Sequence, residues 1–338
     1  LNVRDGKELI KASKEYAEED RAKSWRLLLT TLLAQAATLT FIALAPWWPL
    51  AAAGSIVSGL ISVRLFIFFH DYCHGAIFRG SRAGEIVMTI VGWLTMTVPS
   101  VWTETHNYHH RNNAKMVGSS IGSYPTVSLG MYRGISPGER RQLRLVRSPA
   151  SMIGGLFTTF VIGMCVLPWR RSPEAHRMAP VAGVVWWSVL ALVAWVFGVK
   201  QAFFLILLPA FVWSSVGSYL FYAQHNFPGA ELRGRRDWDY THAALKCSSY
   251  FEMSPLMHWF TGNIGYHHVH HLNHNIPFYR LPEAMAGMPE LQSPGRTSWA
   301  WRDIRACLDC AVWDPDQHRM ISFAEADALV ATELAAAS

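Results

Sequence analysis

Charge is what this 338-residue chain has least of. Asp, Glu, Lys and Arg make up 16% of it against 51% hydrophobic residues, far under the roughly 25% of soluble domains. That shortage excludes an ordinary water-soluble two-domain enzyme. Cysteine is scarce as well: five, an odd number scattered along the chain, give no disulfide framework and fit a reducing compartment. Cys307 and Cys310 form one C-x-x-C, short of the four ligands of a structural zinc, and read as coincidence. No G-x-G-x-x-G nucleotide fingerprint and no H-E-x-x-H zinc motif occurs. Neither does an internal repeat or a low-complexity tract. No cleavable signal is expected, because residues 1 to 26 are charged and the apolar run behind them is long enough to stay in a membrane.

What the chain has is aromatic and apolar residues. Fifteen Trp, 17 Phe and 11 Tyr, with several apolar runs near the roughly 20 residues that cross a bilayer, indicate a multi-pass membrane protein. The net charge of +6 reads as membrane topology, with no nucleic-acid partner. Residues 1–26 read as an amphipathic segment at the interface or in the cytosol. Runs lie at about 27–45, 50–69, 85–101, 151–168, 179–197 and 202–222. If the first, second, fifth and sixth cross, while 85–101 and 151–168 dip in or lie at the surface, every Lys and Arg but Lys200 and Arg64 falls on one side, as the positive-inside rule demands. The expected fold is therefore all-α, with four transmembrane helices, embedded or interfacial helices, and a cytoplasmic cap carrying a dinuclear metal site. Residues 27–281 form the catalytic domain and 282–338 a cytoplasmic tail.

Fifteen histidines are unevenly spread. Three tight clusters stand out: His70-Asp-Tyr-Cys-His74, His106-Asn-Tyr-His109-His110 and His267-His268-Val-His270-His271. His225 follows the last apolar run. On a helix, positions i, i+3 and i+4 share a face, so each cluster can aim its rings at a common point, with His268 pointing elsewhere. The four-span topology brings all of these to one side. Imidazole ligates iron, copper and zinc, and nine neutral ligands suit two ions of four or five nitrogens each.

The boxes HDYCH, HNYHH and HHVHH, with GNIGYHHVHHLNHNIPFYRLPEA around the third, resemble the membrane fatty acid desaturase superfamily, most closely its bacterial acyl-lipid or omega-6-type branch. The likeness runs from about Leu60 to Glu283. It implies a cytoplasmic-face di-iron centre that uses O2 and two external electrons to remove two hydrogens from a fatty acyl chain. The ligands it implies are His70, His74, His106, His109, His110, His225, His267, His270 and His271. One departure is the stretch RNNAKMVGSSIGSYPTVSLGMY after box two, where many members are acidic and glycine-containing. Another is Phe221, where some acyl-CoA desaturases carry Asn.

Carboxylates that orient ligating rings from behind tune such a site; Asp71, Glu104 and Glu252 are the candidates, each with an alternative reading as a capping or interfacial group. Arg64, inside a span, is either paired within the bundle or a contact for a substrate carboxylate or phosphate. Trp102, Trp213, Tyr219, Phe221, Tyr222 and Trp259 flank the boxes and are candidates to wall an acyl tunnel, or ordinary interface anchors. Arg140, Arg141, Arg144 and Arg147 form a basic run suited to anionic membrane lipid. Without an appended cytochrome b5-like segment, electrons must come from a separate ferredoxin, rubredoxin or cytochrome, with a reductase behind it. An acyl hydroxylase and an oxidative decarboxylase of free fatty acids share the same residues. A non-catalytic membrane metal-binding protein is the reading from another class.

Overall fold

A computed structural model describes residues 4, 6–116 and 121–337. Part of the stretch after box two, residues 117–120, and the first residues of the amphipathic segment, 1–3 and 5, lie outside the described residues. Four helices are long and apolar enough to cross a membrane: Arg21–Leu44, Trp48–His74, Met178–Phe197 and Val199–Ala223. They match the four expected spans, with extended ends. The first begins at Arg21, where Asp20 caps it by accepting from the Lys23 amide at 2.9 Å. Its charged first turn simply projects from the apolar part. The second runs past the apolar segment through all of HDYCH and stops at Gly75, whose φ of +71° provides the left-handed cap.

Each pair of spans is a hairpin. Pro49 starts the second helix beside the exposed Trp47 and Trp48, and Gly198, at φ +90°, joins the third to the fourth. Ile42, Ala51 and Phe204 pack together, so both bends lie at the same end of the bundle and the histidines at the other. The second helix is central. Ser55 Oγ donates to the Phe204 carbonyl at 2.5 Å, where the fourth helix widens into a π-turn over Phe203–Leu207. Pro209, lacking an N–H, follows directly, so the wide turn and the crossing Ser55 take up carbonyls that an unbroken ladder would bond. One turn further on, Gly59 lets the two helices touch. A Cβ there would sit 2.5 Å from Val212 Cβ and 2.9 Å from the Pro209 oxygen.

The run expected near 85–101 is not one element. Arg82–Leu94 and Pro99–Asn112 meet at 84°. Val98 is extended ahead of Pro99, as proline requires of its predecessor. Gly92 lies so close beneath the bend that a Cβ would fall 2.4 Å from the Thr97 oxygen. This bend turns HNYHH back towards HDYCH. The 151–168 run is likewise no straight span: a π-type stretch, Leu156–Val166, leads into Pro168.

The described residues after Ala223 fold beneath the bundle together with the N-terminal helix Gly6–Ser13. Asn273 donates to Ser13 Oγ at 2.9 Å, and Arg4 pairs with Glu290 at 2.8 Å. Two small sheets, absent from the sequence reading, stitch distant segments. Val127–Ser128 runs parallel to Val312–Asp314, which pairs antiparallel with Arg319–Ile321, and Tyr250–Glu252 runs parallel to Arg296–Ser298. Arg147, from the basic run, is buried and donates to Asn226 at 2.7 Å and to the Cys310 carbonyl at 2.6 Å, joining the end of the fourth span to the tail. Burial pushes the Cys307 and Cys310 thiols up to about 12, and they join no metal-ligand group among the described residues.

Gly59→Val should force the second and fourth helices apart and cost about 1–3 kcal/mol, read as a lower Tm in detergent. Gly217→Ala, where a Cβ meets open space, should leave Tm unchanged or slightly raised.

Candidate metal centre

The nine histidines divide into two groups. His70, His74, His106, His110 and His270 each offer a ring nitrogen within 4.8 Å of all the others, and so do His109, His225, His267 and His271. Boxes two and three therefore each serve both groups rather than one common point. Helical geometry explains the split. At about 100° per residue, positions i and i+4 diverge by only about 40°, whereas i+3 and i+4 are about 100° apart. His70/His74, His106/His110 and His267/His271 are i, i+4 pairs and stay together. His109 and His270 occupy the i+3 positions and cross to the neighbouring group. His225 reaches the second group from the end of the fourth span, and His268 turns away to the Leu291 carbonyl at 3.1 Å.

The facing atoms are Nε2. In the first group the contacts are His70 to His106 at 2.9 Å, His106 to His110 at 3.1 Å and His110 to His270 at 3.0 Å. In the second they are His109 to His225 at 3.0 Å, His225 to His267 at 2.9 Å and His267 to His271 at 3.1 Å. His70 places its Nδ1 2.9 Å from Asp71 Oδ1, and His225 places its Nδ1 3.1 Å from the Cys247 carbonyl. Each acceptor takes the ring proton at Nδ1 and leaves a bare lone pair at Nε2. Lone pairs crowded at such distances repel unless a proton or a cation lies between them. Burial and the neighbouring rings hold His267, His270 and His271 well below the usual imidazole range, and burial brings His225 down to about 4. At neutral pH these four rings are uncharged donors. Metal–imidazole bonds of about 2.1 Å set at right angles place neighbouring nitrogens about 3 Å apart, the spacing found here. The residues fit two metal ions.

The supporting candidates fare differently. Asp71 is buried, holds His70, and accepts from the Phe278 amide at 2.7 Å through Oδ2. Glu104 projects outward to His176 at 3.1 Å, and Glu252 pairs with Arg296; neither is brought to the imidazole groups. Trp102 stacks on His106 at 4.5 Å, and Phe221 packs on His109 at 5.2 Å. Trp213 lies above them against Phe160. Tyr219 faces Phe251 and Trp299, and the Tyr222 hydroxyl accepts from Arg147 at 3.2 Å. Arg64 donates to Thr31 Oγ1 at 3.1 Å and to the Trp259 carbonyl at 2.5 Å, with the Trp259 ring 4.7 Å from its guanidinium. It is satisfied within the bundle, tying two spans to the cap. The sequence reading passed over His274, whose ring lies 4.7 Å from His74 and 5.1 Å from His110. Its spacing, four residues after His270 and three after His271, was the available signal.

Two recesses reach the rings. One, narrow at about 30 Å³, lies between His109 and His225 and is walled by Ala114, Met116, Phe221 and Leu232. The other, of about 460 Å³, opens onto His74 between Tyr72, Arg79, Pro99 and Asn275.

Four membrane helices closing over two adjacent sets of neutral imidazoles define an integral membrane protein with a paired, all-nitrogen site suited to metal. The chain belongs to the fatty acid desaturase family, whose profile matches residues 45–302, and it is an enzyme, an oxidoreductase of fatty acid desaturation. It is 28% identical to the fatty acid desaturase of Bacillus subtilis (strain 168), over 94% of this chain and 90% of that protein. It is 23% identical to the chloroplastic omega-6 fatty acid desaturase of Brassica napus, over 90% of this chain and 69% of that one. With the sn-1 oleoyl-lipid 12-desaturase of Anabaena variabilis it shares 22% identity, over 87% and 86% of the two chains.

Asp71→Ala removes the acceptor that orients His70. Metal affinity, measured by chelator competition, should fall about 10–100-fold.

Proposed function

We propose that the two imidazole groups hold two iron ions and that the enzyme uses O2 to convert a CH2–CH2 pair of a fatty acyl chain to CH=CH. The observation that carries this reading is the pair of converging Nε2 sets, at the end of the helices opposite both hairpin bends, in a chain of the desaturase family. The balance is one acyl chain, O2, two electrons and two protons giving one double bond and two waters. Zinc has no redox chemistry and does not serve; iron accepts imidazole and supplies the oxidising power that no side chain has.

The chain's own residues hold, orient and shield. Asp71 and the Cys247 carbonyl fix two ring orientations. Trp102 and Phe221 lie against ligand rings and keep water away from one flank. The recess walled by Met116 and Phe221 leads an acyl chain to the second group; it is narrow, and Met116, being flexible, turns aside as the chain enters. The excess of Lys and Arg at this end of the bundle supports a cytoplasmic side for it. A separate one-electron donor with its reductase supplies the electrons. The resemblance to an oleoyl-lipid desaturase favours a lipid-borne acyl chain as the substrate.

Incubation of the iron-loaded enzyme with O2, donor and labelled phospholipid, acyl-CoA or free acid, followed by mass spectrometry, tests the reading. Loss of two hydrogens at unchanged chain length is expected. A gained oxygen would make it a hydroxylase, and a lost carbon a decarboxylase. His109→Ala should abolish turnover and lower iron content while the protein stays folded in detergent. Met116→Trp should lower turnover about 10-fold by filling the recess, with iron content unchanged.

A further inference from the structure

The chemistry proposed above consumes two external electrons for every double bond, so the histidine site must be reachable by an electron donor as well as by an acyl chain. The two recesses differ in the way these two visitors require. The channel beside His109 and His225 is narrow, and Ala114, Met116, Phe221 and Leu232 share its wall with Asn113, Lys115 and Asn226. The cleft beside His74 is roughly fifteen times larger in volume (about 460 against about 30 Å³) and open to the surface. Of the nine ligand candidates it touches His74 alone, so it leads to the first group and the channel to the second. His274 packs on the His74 ring, and Asn275 continues the wall.

The cleft is also tied in place, and Arg79 is the charged residue in its lining. Its floor is the loop after the second span. Phe78 pins that loop with its buried ring 4.5 Å from Trp25 and its amide donating to Glu19 at 2.8 Å, and Arg21 donates to the Arg79 carbonyl at 2.8 Å. These contacts engage the Arg79 backbone and leave its side chain exposed. Arg82, 80% exposed, and Arg111 are exposed nearby, and Glu85 is the acidic side chain that pairs with Arg82. A wide concavity with positive charge at its rim and a metal ligand at its base attracts an anionic protein and shortens the electron's path.

We propose that this cleft is the docking surface for an acidic one-electron carrier protein, and that electrons reach the first metal position past His74. The inference rests on the proposed function for its need of a donor. The alternative occupant of the same arginines is anionic lipid.

The test uses ferric holoenzyme in nanodiscs under anaerobic conditions, with a photoreduced acidic [2Fe–2S] ferredoxin as the probe. Its reoxidation is followed in its own visible band. Arg79→Glu/Arg82→Glu should lower the second-order rate about 10-fold or more at low salt and flatten its salt dependence, while reduction by dithionite stays unchanged. Arg140→Glu/Arg141→Glu, on the helix packed against Tyr132, should alter the rate less than 2-fold. No loss from the first pair, or equal losses from both, would overturn the proposal. So would a first-pair effect confined to anionic nanodiscs, which assigns the arginines to lipid. Enzyme reduced beforehand with dithionite, freed of excess and given O2 and acyl-lipid reports separately on the proposed function, because that step needs no docking.

Discussion

Everything in this structure answers to one constraint: imidazole nitrogens must be held about 3 Å apart and out of water. Each ring gives up hydration on burial, and charging it there costs more still. Neutral rings avoid that cost, and where Nδ1 holds the proton, as in His70 and His225, they turn a lone pair on a neighbouring ring nitrogen across 2.9–3.0 Å. A proton or a bound cation between the nitrogens relieves that repulsion, and two such sets side by side suit the site to a pair of metal ions. The rest of the protein is the framework that keeps the rings from relaxing apart.

That framework relies on stiff elements and very few charges. Three i, i+4 histidine pairs come from three helices, one of them a membrane span prolonged well beyond its apolar segment. The 84° bend returns a second helix to the same point, and the short His267–Leu272 helix closes the set from the cap. Two buried arginines act as clamps. Arg64 ties the first and second spans to the cap, and Arg147 ties the end of the fourth span to the tail, both bonded to neutral hydroxyl, amide and carbonyl oxygens rather than to carboxylates. Removing such acceptors would strand a buried charge, which makes the clamps obligatory once present. Asp71 is the carboxylate placed against a ligand ring, and it is buried between His70 and the Phe278 amide.

The site is also asymmetric. Five rings surround the first position and four the second. The channel reaches the four-ring group and the open cleft the five-ring group. On the function proposed above, a metal held by four rings would keep more positions open than one held by five, and the four-ring group is the one beside the narrow channel. On the two proposals above, separate approaches would keep the acyl chain and the electron donor from competing for one opening.

The number of spans and the clustering of the histidines could be read from the chain, because hydropathy and helical spacing are local and the charge bias adds a count over the whole sequence. Eight of the nine residues that form the two groups were visible for the same reason, since boxes at i, i+3 and i+4 signal themselves; His225 stands alone and was drawn in by its place after the last apolar run and by the family resemblance. How the nine are shared between two positions was not visible, since it depends on how three helices are rotated against one another. Glu104 and Glu252 looked equivalent to Asp71 beside the boxes, yet backbone direction alone sends one to His176 and the other to Arg296. The tail's strands escaped notice because three-residue pairings carry no periodicity and exist only where distant segments meet. By itself the sequence determined what the site is made of, a surplus of neutral nitrogen donors in a chain with four membrane-spanning segments. Tertiary structure alone decided the partition, the bend that allows it and the two separate openings, because these are relations between elements that no local pattern encodes.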